Sequence, residues 1–501
     1  MNDLFLFVRP PRPIWPLNGT STAFWPPLAF ASLASALRDG VRGVRVEILD
    51  APAQSMGWRT LAAELARRRP AYVGIGEEAV SCIEGLRLAR LAHDQGAVVV
   101  AGGCFFGHVA PGALGTGLID IVVHGEGERT IVELVEALRS TRRADLAHVA
   151  GISFADGEEI VTTPPRPLIE DLDQLPFPAY DLLPVARYGR GSRNHPDFGA
   201  LELGRGCVGS CGFCVLWRQM GRAVGNRVVP HLRMKSPERA LEEVRLLTGT
   251  FGRRYIGWVD PCFNADPRVP GRLAELMLRD GRRVGQSAWV RADGVVRDSQ
   301  SGALERQVRA GLNEVYLGVE RPDDDSLRDL NKTVTMSDTR RAFEILARDY
   351  PGVFTVGSFI YGLPGDTPAT MRAIYRASID LPMDAAFFIP LTPLPGTPFW
   401  RSDLWDPSGA SFRRFDFLPF APADPARARL DRALLSAGVF SWPLARIRSH
   451  ARVLRCADRR RRRMFWRLAA RSGLFAARAM LRTVTGHVGA GAMVLPRWYE
   501  R

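Results

Sequence analysis

Gly204-Arg205-Gly206-Cys207-Val208-Gly209-Ser210-Cys211-Gly212-Phe213-Cys214 follows a short apolar run, Ala200-Leu201-Glu202-Leu203, and decides how the rest of the chain is read. Its three cysteines are spaced C-x3-C-x2-C, with an aromatic before the third and glycines between them. Three thiolates on one short loop can hold one compact metal centre. A cubane iron–sulfur cluster usually takes four cysteines, so three would leave one iron open to a ligand from outside the protein. The glycines let the backbone fold tightly and aim N–H groups at the cluster sulfurs. The competing reading is a zinc site, which needs a fourth Cys or His at regular spacing. His231 is the nearest candidate.

The chain around this loop alternates strand and helix patterns. Strand-like runs fall at 200–204, 255–260, 283–290, 314–320, 353–361 and 385–391, with amphipathic helical patterns between them. Six such units make a partial (β/α)6 barrel, and barrels of this kind place their chemistry at the C-terminal strand ends. Those ends carry Val259-Asp260-Pro261-Cys262, Trp289-Val290-Arg291-Ala292-Asp293, Gly318-Val319-Glu320, Tyr361-Gly362-Leu363-Pro364-Gly365-Asp366 and Leu391-Thr392-Pro393-Leu394-Pro395-Gly396. A carboxylate such as Glu320 can accept from ribose hydroxyls or an ammonium, and Arg291 can pair with a carboxylate. For each, the plainer role is a buried pair that organises the barrel, and for Cys262 it is a small buried hydrophobe.

The cysteine spacing together with these strand ends resembles the radical S-adenosylmethionine (SAM) enzymes. The resemblance implies a 4Fe–4S cluster on Cys207, Cys211 and Cys214, and SAM chelated to the open iron and cleaved to a 5′-deoxyadenosyl radical. It implies that Phe213, Asp260, Arg291 and Glu320, with Gly362, Pro364 and Thr392, surround SAM.

Residues 1–145 show a second alternation, with strand-like runs at Leu4–Val8, Val44–Leu49, Tyr72–Ile75, Ala97–Ala101 and Ile121–Val123. Short apolar strands separated by helices predict a doubly wound parallel sheet with ligands at the strands' carboxyl ends. Gly102-Gly103 and Gly125-Glu126-Gly127-Glu128 fall there. This layout resembles the Rossmann-like cobalamin-binding domain that precedes many radical SAM barrels, although a flavodoxin-like sheet could show the same glycines. The resemblance assigns Gly102, Gly103, Gly125 and Glu126 to cobalamin. The loop from Arg9 to Thr20 lacks D-x-H-x-x-G, so histidine ligation of cobalt is not expected. His108 and Cys104 are read as packing or surface residues. Residues 146–196, rich in proline, are read as a linker, 197–400 as the barrel, and 401–501 as a helical basic C-terminal region.

The composition suits a large globular protein, at 46% hydrophobic and 24% charged. Seven cysteines, three in the Cys207–Cys214 loop and four scattered, argue against a disulfide framework and for a reducing, cytoplasmic setting. The net charge of +14 is concentrated. Residues 445–482 hold 13 Arg against one Asp, leaving +2 for everything else. Arg467, Arg471, Arg478 and Arg482 fall along one helical face with Phe465, Leu468 and Phe475 towards the other. This segment could lie on the inner membrane surface, or pack on the barrel with a solvated Arg face. No DNA partner is expected. The Phe-rich stretch 403–422, the basic helices and the continuation Cys214-Val215-Leu216-Trp217 also resemble anaerobic magnesium-protoporphyrin monomethyl ester cyclases.

The function expected is a cobalamin-dependent radical SAM enzyme acting on an unactivated carbon of a small, lipophilic or tetrapyrrole-like substrate by C-methylation, fed by an electron donor such as flavodoxin or ferredoxin. The alternatives are oxidative hydroxylation or cyclisation, an RNA methylthiotransferase-like enzyme, and a non-catalytic cobalamin- or zinc-binding protein.

Overall fold

A computed structural model describes residues 3–12, 25–76, 81–140, 143–190, 192, 194–405, 425–440, 458–467, 470 and 499–501. Its first sheet has seven strands: β1 Leu4–Arg9, β2 Arg45–Asp50, β3 Tyr72–Gly76, β4 Val98–Gly102, β5 Ile121–Val123, β6 Ile152–Asp156 and β7 Glu159–Thr162. The order is β2-β1-β3-β4-β5-β6-β7. β1 reads Leu-Phe-Leu-Phe-Val because it is central, with helices on both faces, so every position needs an apolar side chain. The first five strands are parallel, in the doubly wound arrangement expected.

The linker reading of residues 146–196 is corrected at its start. β6 and β7 form an antiparallel hairpin that extends the first sheet past residue 145. The turn is Asp156-Gly157-Glu158, with Gly157 at φ +63°. An Asp-Gly pair between alternating strands favours such a tight turn. The proline runs that follow drew attention away from it. Beyond the hairpin, the connection is irregular apart from three short 3-10 turns at Leu172–Gln174, Tyr180–Leu182 and Val185–Arg187.

The second sheet begins with β8 Phe198–Leu201. Four short strands follow, paired two by two: β9 Gly204–Arg205 with β12 Arg233–Met234, and β10 Arg222–Val224 with β11 Arg227–Val229. The sheet then resumes with β13 Tyr255–Trp258, β14 Gly285–Val290, β15 Leu312–Glu320, β16 Phe354–Tyr361 and β17 Ala385–Pro390. All six main strands are parallel and in sequential order, the arrangement of an open (β/α)6 barrel. One core runs through both units, joining Phe5 and Ile131 of the first to Ile256, Leu317 and Phe343 of the second.

The lumen of the barrel is filled at its N-terminal end. Phe354, Val356, Met464 and Phe465 form a buried cluster there. The last two come from the basic C-terminal segment. In residues 458–467 Arg461 is buried, pairs with Asp384 at 2.7 Å and donates to the Pro351 carbonyl at 2.6 Å. This part of the segment therefore packs on the barrel. Arg471, Arg478, Arg482, Leu468, Phe475 and the Phe-rich stretch lie outside the described residues. So does most of the loop from Arg9 to Thr20. Among the described residues no helix is long and apolar enough to cross a membrane.

Candidate active site

The cysteine loop leaves β8 and β9 at the C-terminal end of the barrel. Its geometry depends on two glycines. Gly206 has φ +88°, and a Cβ there would lie 1.8 Å from the His231 carbonyl oxygen. Only glycine fits such a contact. At Gly209 a Cβ would lie 3.8 Å from Cys207 Sγ and 3.9 Å from Cys211 Sγ. The glycine keeps the space between these sulfurs clear, and its N–H points to Cys207 Sγ at 3.4 Å. Trp217 Nε1 and the Cys214 N–H both donate to the Cys211 carbonyl, closing the loop on itself.

A second segment braces the loop from outside. The Gly212 N–H donates to the Leu330 carbonyl at 2.8 Å, and Asn331 Nδ2 donates to Ser210 O and Oγ. Next to it, Lys332 Nζ donates to Glu320 Oε1 at 3.0 Å. Glu320 has φ +65°, uncommon for a residue with a side chain, and sits where the β15–β16 register shifts. Strain of this kind clusters at functional sites. Nothing local in the sequence marked this segment, because the partners of Leu330 and Asn331 lie about 120 residues away.

The three thiols differ in their surroundings. Cys207 is drawn down to about 6, first by a hydrogen bond from the Cys262 thiol, then by the Gly209 N–H and the Arg291 guanidinium. Burial pushes Cys211 up to about 11 against the pull of Lys332, and burial also raises Cys214. The thiols lie close enough for each to feel the others' charge. Yet among the described residues no three His, Cys, Asp or Glu side chains converge on the position of a single metal ion. His231, the candidate fourth zinc ligand, turns to Glu170 at 2.8 Å. The loop thus suits a cluster with a wide footprint better than one zinc ion.

Arg291 lies beside this loop, hydrogen-bonded to Asp293 at 2.7 Å and Thr333 at 3.1 Å. Glu320 and Arg291 are therefore gathered with the cysteines. Cys262 joins them as a buried neighbour of Cys207. Three further candidates act on backbone. Asp260 is fully buried and accepts from the Leu203 and Gly204 N–H groups, below the loop rather than in contact with the space above it. Burial outweighs these donors and pushes its carboxyl up to about 7. Gly362 has φ +85°, and its N–H, with that of Leu363, is held by Asp366, itself clamped by buried Arg321. The Thr392 hydroxyl turns to the Pro390 carbonyl at 3.4 Å. Phe213 is half-buried and Pro364 is exposed.

The glycine turns of the first sheet fare differently from one another. Gly103 has φ +83° and is exposed, and Gly125 has φ +65° with open space around it. Gly102, at the end of β4, has extended backbone that any residue adopts. The exposed backbone at the ends of β4 and β5 suits a large flat ligand lying across it. Glu126 does not fit that use. It is buried and pairs with Arg205 at 2.8 Å and Arg233 at 2.7 Å, and it accepts from the Ile169 N–H. Glu128 completes the cluster on Arg205 at 2.6 Å. The Glu126–Glu128 turn therefore ties the first unit to β9 and β12 of the barrel. His108, just past the glycine turn, meets the barrel too: a Cβ at Gly396 would approach its ring to 2.9 Å. The surrounding protein and the nearby His124 and Arg218 charges lower its basicity. The mouth of the barrel and the carboxyl edge of the first sheet thus adjoin.

The profile of the Radical SAM superfamily matches residues 201–377, and that of the B12 binding domain matches residues 14–135. An uncharacterized methyltransferase of Pyrococcus horikoshii is 30% identical over 379 residues, covering 75% of this chain and 78% of that protein. The anaerobic magnesium-protoporphyrin IX monomethyl ester cyclase of Rubrivivax gelatinosus is 28% identical over 403 residues, covering 78% and 68%. Among solved structures, the radical SAM methyltransferase TsrM from Kitasatospora setae, with cobalamin and a 4Fe–4S cluster bound, superposes with a TM-score of 0.62 at 21% identity. That superposition covers 80% of this chain and 77% of TsrM, a likeness of fold.

Proposed function

This chain belongs to the cobalamin-dependent, methyltransferase-like family of radical SAM enzymes, and from that premise we propose that it methylates an unactivated carbon of a small molecule. The observation that carries the proposal is the cradle at Gly209, with two thiols either side of a space that a single Cβ would begin to fill. When bound, the cluster and SAM supply a carbon-centred radical, and cobalamin supplies a methyl group.

The chain's own residues have definable tasks. Cys207, Cys211 and Cys214 would hold the cluster, and Gly206 and the Leu330–Lys332 segment keep their loop in shape. Arg291 and Glu320 would offer a cation and an anion to the two ends of an amino acid at the rim. The neighbouring Lys332 orients the Glu320 carboxylate. Asp366 and Arg321 fix the backbone at Gly362, and Asp260 fixes the entry to the cysteine loop. Gly102, Gly103 and Gly125 would let cobalamin lie close to the backbone of the first sheet. Glu126 acts instead to hold the two units together.

Methylation is favoured over ring closure because the methyltransferase relative is matched over the larger share of its length. An acidic one-electron donor of the flavodoxin or ferredoxin type would reduce the cluster. The protein would work in the cytoplasm. Contact of the basic segment beyond residue 470 with the inner membrane surface is part of the same proposal. Deleting residues 471–498 should then abolish liposome binding, and retained binding would refute that contact.

Anaerobic reconstitution tests the main reading. It should give about four irons per chain, bound corrinoid, 5′-deoxyadenosine from SAM under a strong reductant, and S-adenosylhomocysteine when a methyl group is transferred. Zinc in place of iron, or no SAM cleavage, would refute it.

A further inference from the structure

The upper half of the barrel lumen is apolar and open. Trp289 on β14 is 37% exposed, Phe387 on β17 is 38% exposed, and Val259, just past β13, is 37% exposed. These are unusual values for large apolar groups inside a barrel. Tyr316 on β15 lies between the two rings. Its ring centroid is 4.9 Å from that of Trp289 at 30°, and 6.2 Å from that of Phe387 at 33°. Tyr316 also packs on the Phe354–Val356 cluster, which places all three rings on the lumen side of the sheet.

Position along the strands sets the height of this wall. Side chains two residues apart share a face and are about 7 Å apart. Trp289 is one such step below Arg291, which borders Cys207. Tyr316 is one step below Gly318, over which the Glu320 carboxylate is folded. The wall therefore lies directly beneath the rim that bears the cysteines.

The floor carries charge, but that charge is already answered. Glu314 accepts from Tyr316 Oη at 2.5 Å, His195 Nε2 at 2.6 Å and Tyr255 Oη at 3.3 Å, with Arg460 at 3.8 Å. The tyrosine between the two exposed rings turns its hydroxyl down into this network and is stacked on Trp289, so the outer ring surfaces of Trp289 and Phe387 are the ones left open. A concave apolar surface with polar groups confined to rim and floor is the common form of a small-molecule site. Near-parallel rings offer offset stacking to another flat ring.

Resting on the radical reading of the rim, we infer that the lumen takes the substrate by an uncharged planar ring system, laid against the exposed rings of Trp289 and Phe387 that Tyr316 braces. The carbon to be modified is then held at the upper edge of that ring system, and charged substituents stay at the mouth, near Arg291 and Glu320.

The probe for this site is the neutral fluorophore 6-propionyl-2-(dimethylamino)naphthalene, titrated into the full-length reconstituted protein. One saturable site is expected. The planar competitor 2-naphthol should displace the probe about tenfold better than its saturated counterpart trans-2-decalol. Trp289→Ala and Phe387→Ala should each weaken probe binding about tenfold. Trp289→Phe and Phe387→Tyr, which keep a flat ring, should restore it to within about threefold. Ile160→Ser, exposed on β7 of the other sheet, should leave it unchanged.

Absence of a saturable site, binding indifferent to both alanine variants, or equal displacement by decalol would overturn the inference. SAM cleavage measured on the same wild-type sample separates the two readings. Cleavage without probe binding refutes the ring-binding lumen alone. Probe binding with the expected variant effects but no cleavage upholds the lumen and refutes the radical chemistry.

Discussion

Arg205→Met should loosen the joint between the two units more than any exposed ion pair could. Arg205 is buried, and its guanidinium reaches three carboxylates: Glu128 at 2.6 Å, Glu126 at 2.8 Å and Glu202 at 2.9 Å. Arg233 is the other cation of the group, on Glu126. Removing Arg205 leaves three carboxylates facing one remaining guanidinium in a space closed to water. Breaking a buried pair by deleting one partner costs about 3–5 kcal/mol. The exposed pair Arg87–Glu500, although bidentate, should be worth at most about 1 kcal/mol. Urea denaturation of the metal-free protein should therefore show a loss of about 3–5 kcal/mol for Arg205→Met, against at most about 1 for Arg87→Met. The double variant Arg205→Met/Glu128→Gln should recover part of the loss, since it removes one of the stranded charges. Equal, small losses at both arginines would refute the view that this cluster joins the units.

Four further outcomes follow from the site. Gly206→Ala should fail to fold its loop and bind no iron, because its Cβ meets the His231 carbonyl at 1.8 Å. Gly209→Ala should keep wild-type stability to within about 1 kcal/mol but lose iron, and a wild-type iron content in that variant by elemental analysis would contradict the cradle. Glu320→Gln should weaken SAM binding about tenfold, as expected for a lost charged hydrogen bond, and an unchanged Kd by equilibrium dialysis would remove Glu320 from the site. Asp260 titrates at about 7 when folded, against about 3.9 unfolded. A raised carboxyl pKa means that its contribution to stability is fully present below pH ~4 and is lost as pH rises through ~7. Relative to wild type, Asp260→Asn should gain up to about 4 kcal/mol across that window. Parallel urea midpoints from pH 4 to 8 would refute this.

The architecture was largely legible because it rests on local pattern. Six apolar runs at regular intervals mark six barrel strands, and the run at Ile121–Val123 has the bounds of β5. The cysteine loop was legible because its spacing is written in eight consecutive residues. The carboxylates were harder. Glu126, Asp260 and Glu320 all sit at strand ends, yet one bridges two units, one holds backbone N–H groups and one faces the thiols. Sequence spacing cannot tell these apart, because the deciding partners are 12 to 107 residues away. The aromatic wall was hidden for a related reason. Trp289, Tyr316 and Phe387 alternate like core residues, and only closure of the sheet brings them into one lumen.

The helix at residues 458–467 has a consequence for traffic. With Met464 and Phe465 seated against Phe354 and Val356, and Arg461 locked to Asp384, the barrel is blind at its base. Molecules bound deep in it cannot leave by a back door. On the proposed reading they would enter and depart past the rim where SAM would sit, so the deeper guest would load before the shallower one and be released after it. An order of binding would then come from the stopper rather than from any residue that touches either guest.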